Sequence, residues 1–193
     1  MKKTLTILVA IVVLLALMGG CSYNAMVSKE EAVKTAWAQV ENVYQRRADL
    51  IPNLVATVKG YAAHEQTTLE GVMEARAKAG QTVIDPGNLN SESLQQFQAA
   101  QGEISSALSR LMVVVERYPE LKANQNFLDL QSQLEGTENR IATERKRFNE
   151  IAQEYNTFIR MFPRNLFAGL FGFAQKPYFA AQEGAQQAPI VAF

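Results

Sequence analysis

The sequence predicts an all-α protein: an antiparallel, up-and-down bundle of four helices behind an N-terminal membrane anchor or lipoprotein signal. Three observations carry that prediction. Apolar residues recur at three- and four-residue spacing from Ala25 to Phe162, the period of an amphipathic helix. The same stretch has no alternating apolar and polar run bounded by turn residues, the mark of a strand. A short apolar run near the N-terminus stands apart from the rest and ends at Cys21.

That first segment, residues 1–20, has the layout of a targeting signal. Lys2 and Lys3 are followed by an apolar run from Leu5 to Met18, broken only by Thr6, and then by Gly19, Gly20 and Cys21. A membrane span needs about 20 apolar residues, so this run has the length of a signal-peptide core instead. A sole Cys directly after two small residues is the arrangement of a bacterial lipoprotein, cut before Cys21 and lipidated on the thiol. The alternative is an uncleaved anchor stretched toward Met26 across Ser22, Tyr23 and Asn24. Met18 stands where a lipoprotein signal prefers Leu, so both readings stay open. Either puts lipid at the N-terminus and, with Lys2 and Lys3 held in the cytoplasm, the bundle on the outer side.

The second unit, residues 21–162, is the bundle. Val33, Trp37, Val40 and Tyr44 begin a stripe that runs on through Ile51, Leu54, Val58 and Tyr61 to Leu69, Val72 and Ala79. Leu94, Phe97, Ile104, Leu108 and Leu111 make a second stripe, and Leu128, Leu134, Ile141, Phe148, Ala152, Tyr155 and Ile159 a third. Asp85-Pro86-Gly87 is a turn signal, with Ser91 as N-cap and Glu92 in the first turn of the next helix. Tyr118-Pro119 ends that helix, because the residue before proline resists the α region. Pro52 lies inside the first stripe. A break there divides the chain into residues 25–51, 53–80, 91–118 and 121–148, four segments each about 42 Å long or less. Equal helices cover one another's stripes. An unbroken first helix would leave the stripe of 25–51 facing water unless another chain covered it, so the break is the expectation, with 149–162 projecting past the bundle.

The third unit, residues 163–193, differs in composition. Five of the ten Phe follow Pro163. Gly169, Gly172 and two prolines make a long helix unfavourable. Its aromatic residues from Leu166 to Phe179 either pack on the bundle or form an exposed apolar patch. Gly184 to Pro189 is small and Gln-rich and reads as disordered.

Composition narrows the chemistry. Nineteen Lys+Arg balance nineteen Asp+Glu, without the basic surplus of a nucleic-acid binder. Without residues 1–20 the balance becomes 17 positive against 19 negative. One Cys and one His exclude a disulfide framework and a Cys/His zinc site within one chain. His64-Glu65 continues Gln-Thr-Thr, so the second His of a zincin helix is missing. Di-iron sites in bundles need paired Glu-x-x-His motifs, which one His does not supply. No phosphate-cradling loop and no nucleophile elbow is present. No catalytic residue, metal or cofactor follows from the sequence.

One cluster is dense in polar residues: Arg46, Arg47, Asp49, Asn53, Lys59 and His64 surround Pro52. A structural role for it is an Asp49 cap, an Arg47–Asp49 pair, and Asn53 holding backbone groups freed at Pro52. A functional role is an interaction or ligand site. At these residues the chain resembles the LemA family. The resemblance runs through Tyr23-Asn24, the stretch Arg46-Arg-Ala-Asp-Leu-Ile-Pro-Asn53 to His64-Glu65, and Glu74-Ala-Arg-Ala77. It continues through Tyr118-Pro-Glu-Leu to Phe127, Leu134-Glu-Gly-Thr to Ala142, Phe162-Pro-Arg-Asn165 and Phe171-Gly-Phe173, and covers about residues 22 to 180. It implies a membrane-attached bacterial protein with an outward up-and-down helical bundle and no established activity, cofactor or catalytic residue. The functional expectation is a non-catalytic, membrane-tethered scaffold that binds an envelope protein. The alternative is a small-ligand or peptide binder using Arg46–His64.

Overall fold

The computed structural model describes residues 2–180, and over them the chain is helical with no strand. The α-helices are α1 (Lys2–Tyr61), α2 (Gln66–Gln81), α3 (Ser91–Val115), α4 (Pro119–Lys122), α5 (Gln125–Arg160) and α6 (Arg164–Phe171), with a 3-10 turn at Pro86–Asn88. Helical class is as predicted, but the four equal segments are not. The predicted disorder of Gly184 to Pro189 lies outside the described residues. Among the described residues, no helix is long and apolar enough to cross a membrane.

The expected break at Pro52 is absent. α1 is one helix of 60 residues with Pro52 inside it; the chain turns at residues 62–65 instead. A proline removes the N–H that would bond the carbonyl four residues back, here that of Ala48. Arg76 on α2 supplies the missing donor: its Nε donates to the Ala48 carbonyl at 2.7 Å. The orphaned acceptor is thereby satisfied and the helix continues.

The predicted cap of α3 shifts by one residue. Asn90, not Ser91, is the N-cap of α3: its side chain accepts from the Ser93 N–H at 2.9 Å, and Ser93 Oγ accepts from the Asn90 N–H at 3.2 Å. Asp85 accepts from the Gly87 N–H at 2.9 Å and so shapes the predicted turn. Asn124 caps α5 by accepting from the Phe127 N–H at 3.0 Å. Stretch 149–160 is the last third of α5 and does not project past the bundle.

Two apolar cores result. The far core joins Ile51, Leu54 and Val58 of α1 to Leu69 and Val72 of α2, Ile104 and Leu111 of α3, and Phe127 and Leu134 of α5. The near core, toward the start of α1, joins Met26, Val33, Trp37, Val40 and Tyr44 to Phe148, Ala152, Tyr155 and Ile159 of α5, Leu94 and Phe97 at the start of α3, and Phe179 of the tail. The stripe of 25–51 is therefore covered by this chain's own α5 and tail, and that covering makes an unbroken α1 possible.

α6 turns back against α1 at the near end. Gly19 makes room for it: a Cβ there would stand 3.2 Å from the Phe167 ring. Tyr23 meets Phe171 and Phe173 edge-on at 5.2 and 5.7 Å. α6 ends at Gly172, whose φ of +77° suits a residue without a Cβ. From there an extended segment runs along the α1–α5 surface to Ala180.

Candidate functional site

The cores are separated by a polar layer centred on Arg47. Each of three helices crosses it between apolar neighbours: α1 at Arg47, between Tyr44 and Ile51; α3 at Gln101, between Phe97 and Ile104; α5 at Thr137 and Glu138, between Leu134 and Ile141. Arg47 is 2% exposed. Its Nη1 donates to Glu138 Oε1 at 2.8 Å and to Ser105 Oγ at 3.1 Å. Its Nη2 donates to the Gln101 carbonyl at 3.1 Å and to the Gln101 side-chain oxygen. The guanidinium lies 5.1 Å from the Tyr44 ring centre. Nε is buried without a hydrogen-bond partner. Burial pushes the Tyr44 phenol above its ordinary pKa, against the pull of Arg145 and Arg47. The planar five-donor fork of arginine suits this task, since it reaches two helices at once. A buried polar layer of this kind fixes how helices slide against one another, because any shift leaves charge unpaired.

The predicted residues separate into different roles. Arg47 does not pair with Asp49, and two residues apart on a helix they do not face each other. Asp49 is not a cap; it lies mid-helix and accepts from Gln45 Nε2 at 2.7 Å. Asn53 does not hold the backbone group freed by Pro52; Arg76 does, and Asn53 is exposed. Arg46, Asp49 and Asn53 lie on one exposed face of α1 by helical spacing. Lys59 is exposed nearer the end of α1, and His64 is exposed in the α1–α2 turn. Cys21 is exposed with a free thiol. Among the described residues no group of three or more His, Cys, Asp or Glu is placed to hold a metal.

Arg76 is the residue that sequence reasoning missed. Its signal was present: Pro52 orphans the Ala48 carbonyl by rule, and Arg76 sits in the Glu74-Ala-Arg-Ala77 stretch. Spacing does not show that α2 folds back to that height. A second set also went unseen. Tyr118 OH donates to Glu65 Oε1 at 3.1 Å, Arg117 pairs with the same carboxylate at 3.0 Å, and Asn124 Nδ2 donates to Tyr61 OH at 2.9 Å. These contacts tie the far-end turns together.

A cleft of about 1050 Å³ opens between α2, α3 and α5. Arg47 and Glu138 form part of its floor, with Lys78, Glu103, Arg110 and Arg145 along its sides. Small residues, Gly71, Ala75, Ala99 and Gly102, keep it open. Its charges alternate in sign, so no single class of charged ligand is selected.

The chain is 28% identical to magnetosome protein MamQ 2 of Paramagnetospirillum magneticum over 188 residues, covering 88% of this chain and 68% of that protein. It is 27% identical to magnetosome protein MamQ of Magnetospirillum gryphiswaldense with the same coverage. It is 23% identical to Protein LemA of Metamycoplasma hominis over 163 residues, covering 83% of this chain and 69% of that protein. The LemA family model matches residues 36–193, which include the Arg47 layer, the Pro52–Arg76 contact and the tail. The chain belongs to the LemA family.

Proposed function

We propose that this protein is a membrane-anchored, non-catalytic helical bundle of the bacterial envelope that acts as a scaffold for another envelope protein. The observation that carries the reading is an apolar surface beside the anchor. Phe162, Leu166 and Leu170 are 81%, 63% and 76% exposed, on and beside an α6 that packs against α1 at Gly19 and Tyr23. Exposed apolar residues clustered at one end mark a contact surface, and a short amphipathic element of Leu and Phe flanked by Arg160 and Arg164 suits the headgroup boundary of a bilayer. Cys21, exposed at the same end, carries the lipid in this reading. Cleavage before Cys21 removes Gly19 and leaves Tyr23 to seat α6. The polar face of Arg46, Asp49 and Asn53, with Lys59 beyond it, stands away from that end and is the surface offered to the partner.

The fixed character of the Arg47 layer supports a scaffold over a ligand site. The guanidinium that a ligand site across Arg46–His64 would use is bonded to Gln101, Ser105 and Glu138 already.

Photoactivatable lipid in intact membranes tests the reading. Label is expected on residues 161–171, and its absence there removes α6 from the membrane surface. Mass spectrometry of the same extract is expected to show a chain beginning at lipidated Cys21; an intact Met1 with a free thiol replaces the lipid by an uncleaved anchor. Protein crosslinking of wild type, Arg46→Ala and Lys59→Ala is expected to lose a partner in at least one variant at unchanged melting temperature. Identical patterns remove the Pro52 face from consideration.

A further inference from the structure

The tail segment Lys176–Ala180 lies on the α1–α5 surface in the manner of a bound peptide. Asn156 bonds both backbone groups of Lys176: its Oδ1 accepts from the Lys176 N–H at 2.8 Å and its Nδ2 donates to the Lys176 carbonyl at 2.8 Å. Asn149 treats Phe179 the same way, at 2.8 Å and 3.1 Å. Arg145 Nη2 then donates to the Ala180 carbonyl at 2.8 Å. Asn149 and Asn156 are seven residues apart, about 10.5 Å along a helix. Residues 176 to 179 are three apart, about 10 Å in an extended chain. The two rulers match, so an extended backbone meets both amides in register. Pro177 falls between them, where no N–H is required.

Side chains add selectivity to this backbone readout. Phe179 enters a pocket between Trp37, stacked at 5.9 Å and 15°, and Phe148, edge-on at 5.4 Å, with the Arg145 guanidinium 4.9 Å from its ring centre. Lys176 is buried to 7% exposure and its Nζ pairs with Glu30 at 2.8 Å, 6.0 Å from the Tyr155 ring centre. Tyr178, between the two anchors, is exposed apart from a hydroxyl that accepts from Asn156 Nδ2 at 2.9 Å. A segment that belonged to the core by apolar contact alone would not need two amides each reading both backbone groups of one residue.

We propose that the α1–α5 surface is a peptide-binding groove for extended segments of the pattern Lys-Pro-x-Phe, and that residues 176–180 are its resident intramolecular ligand. The groove binds such a peptide in trans when the resident segment is weakened. Tethering gives the resident segment an effective concentration in the millimolar range, which keeps the intact chain closed to competitors. The site is separate from the Arg46–Asn53 face and does not depend on the anchor.

The only tryptophan of the chain, Trp37, stacks on Phe179 and reports occupancy in the Phe179→Ala host, while the anisotropy of a fluorescently labelled peptide reads binding in every chain. The probe is a capped synthetic peptide with the sequence of residues 174–181, titrated into full-length chains in detergent. Phe179→Ala is expected to bind it saturably, with tryptophan emission returning toward wild type. The wild-type chain is expected to need at least about tenfold more peptide. Adding Asn149→Ala to Phe179→Ala should weaken binding about tenfold, as should a peptide in which Ala replaces the Phe. Lys176→Ala leaves Phe179 in its pocket and serves as the second host; it too must bind the peptide more readily than wild type. A folded Phe179→Ala or Lys176→Ala chain that gives no saturable response overturns the proposal. So does binding that is equal in wild type, or binding indifferent to Asn149→Ala.

Discussion

The far end of the molecule closes its core with four helical segments; the near end does so with two long helices, the first turns of α3, the short α6 and an extended strap. The far core is mainly aliphatic, with Ile51, Leu54, Leu111 and Leu134 meeting across α1, α3 and α5 and Phe127 as its one fully buried ring among the described residues. The near core is aromatic, with Trp37 in ring contact with Phe97, Phe148 and Phe179, and Phe148 with Phe179. The difference follows from geometry. Four helices enclose a cylinder that Leu and Ile fill. Two long helices met only by the start of α3 leave an open trough, and large flat rings together with an extended segment are what span it. The trough also needs backbone partners for the strap, which Asn149 and Asn156 provide. The Arg47 layer separates the two solutions and keeps both in register.

Single-core truncations test the comparison most strongly. Trp37→Ala is expected to cost about 3–5 kcal/mol and Leu111→Ala about 2–5 kcal/mol, read by chemical denaturation with circular dichroism. A cost below 0.5 kcal/mol at either position would mean that end lacks the core described. Arg47→Ala should come next, at about 2–3 kcal/mol, since it leaves Gln101 without its donor while Glu138, 46% exposed, regains water.

Hydrogen exchange sharpens the contrast. Asn149→Ala with Asn156→Ala should raise amide exchange in residues 26–44 and 141–160 by about tenfold or more. Residues 51–58 and 104–111 should change less. An equal rise at both ends would show one cooperative unit and dissolve the distinction.

The Pro52–Arg76 contact gives a smaller and more specific test. Arg76→Ala should cost about 1–2 kcal/mol by leaving the Ala48 carbonyl without a donor. In a Pro52→Ala background the new N–H at position 52 bonds that carbonyl, and the same substitution should cost little. Equal costs in the two backgrounds would sever the link between the proline and Arg76.

Tyr155→Phe should have the smallest effect, within about 0.5 kcal/mol at neutral pH, because the buried hydroxyl has no hydrogen-bond partner to lose. At alkaline pH the variant should part from wild type. Burial, reinforced by Glu30, raises the Tyr155 phenol well above its ordinary value of 10.0. The unfolded phenol ionises first, so wild-type stability falls as pH rises past that value. The phenylalanine variant should lose less over the same range, and the difference between the two reads the near core alone. Parallel pH profiles would place Tyr155 in water.

The sequence by itself determined the helical class, the turns near Asp85–Gly87 and Tyr118–Pro119, and the apolar stripes that became the two cores. These are local properties: the period of apolar residues, cap chemistry and the restriction before proline act within a few residues. It also singled out the neighbourhood of Pro52 as unusual. Tertiary structure decided everything that depended on which segment meets which. Proline predicts an orphaned carbonyl, but only the return of α2 brings Arg76 to it, and so only the fold turns a predicted break into a continuous helix. Arg47 and Asp49 are two residues apart in sequence, yet a helix turns them apart and gives Arg47 to α3 and α5. The tail residues Lys176 and Phe179 read as a composition shift until α5 lays two asparagines at the spacing of an extended chain. Pairing between residues far apart in the chain is set by burial and by the need to satisfy every buried polar group, and neither is visible until the chain has folded.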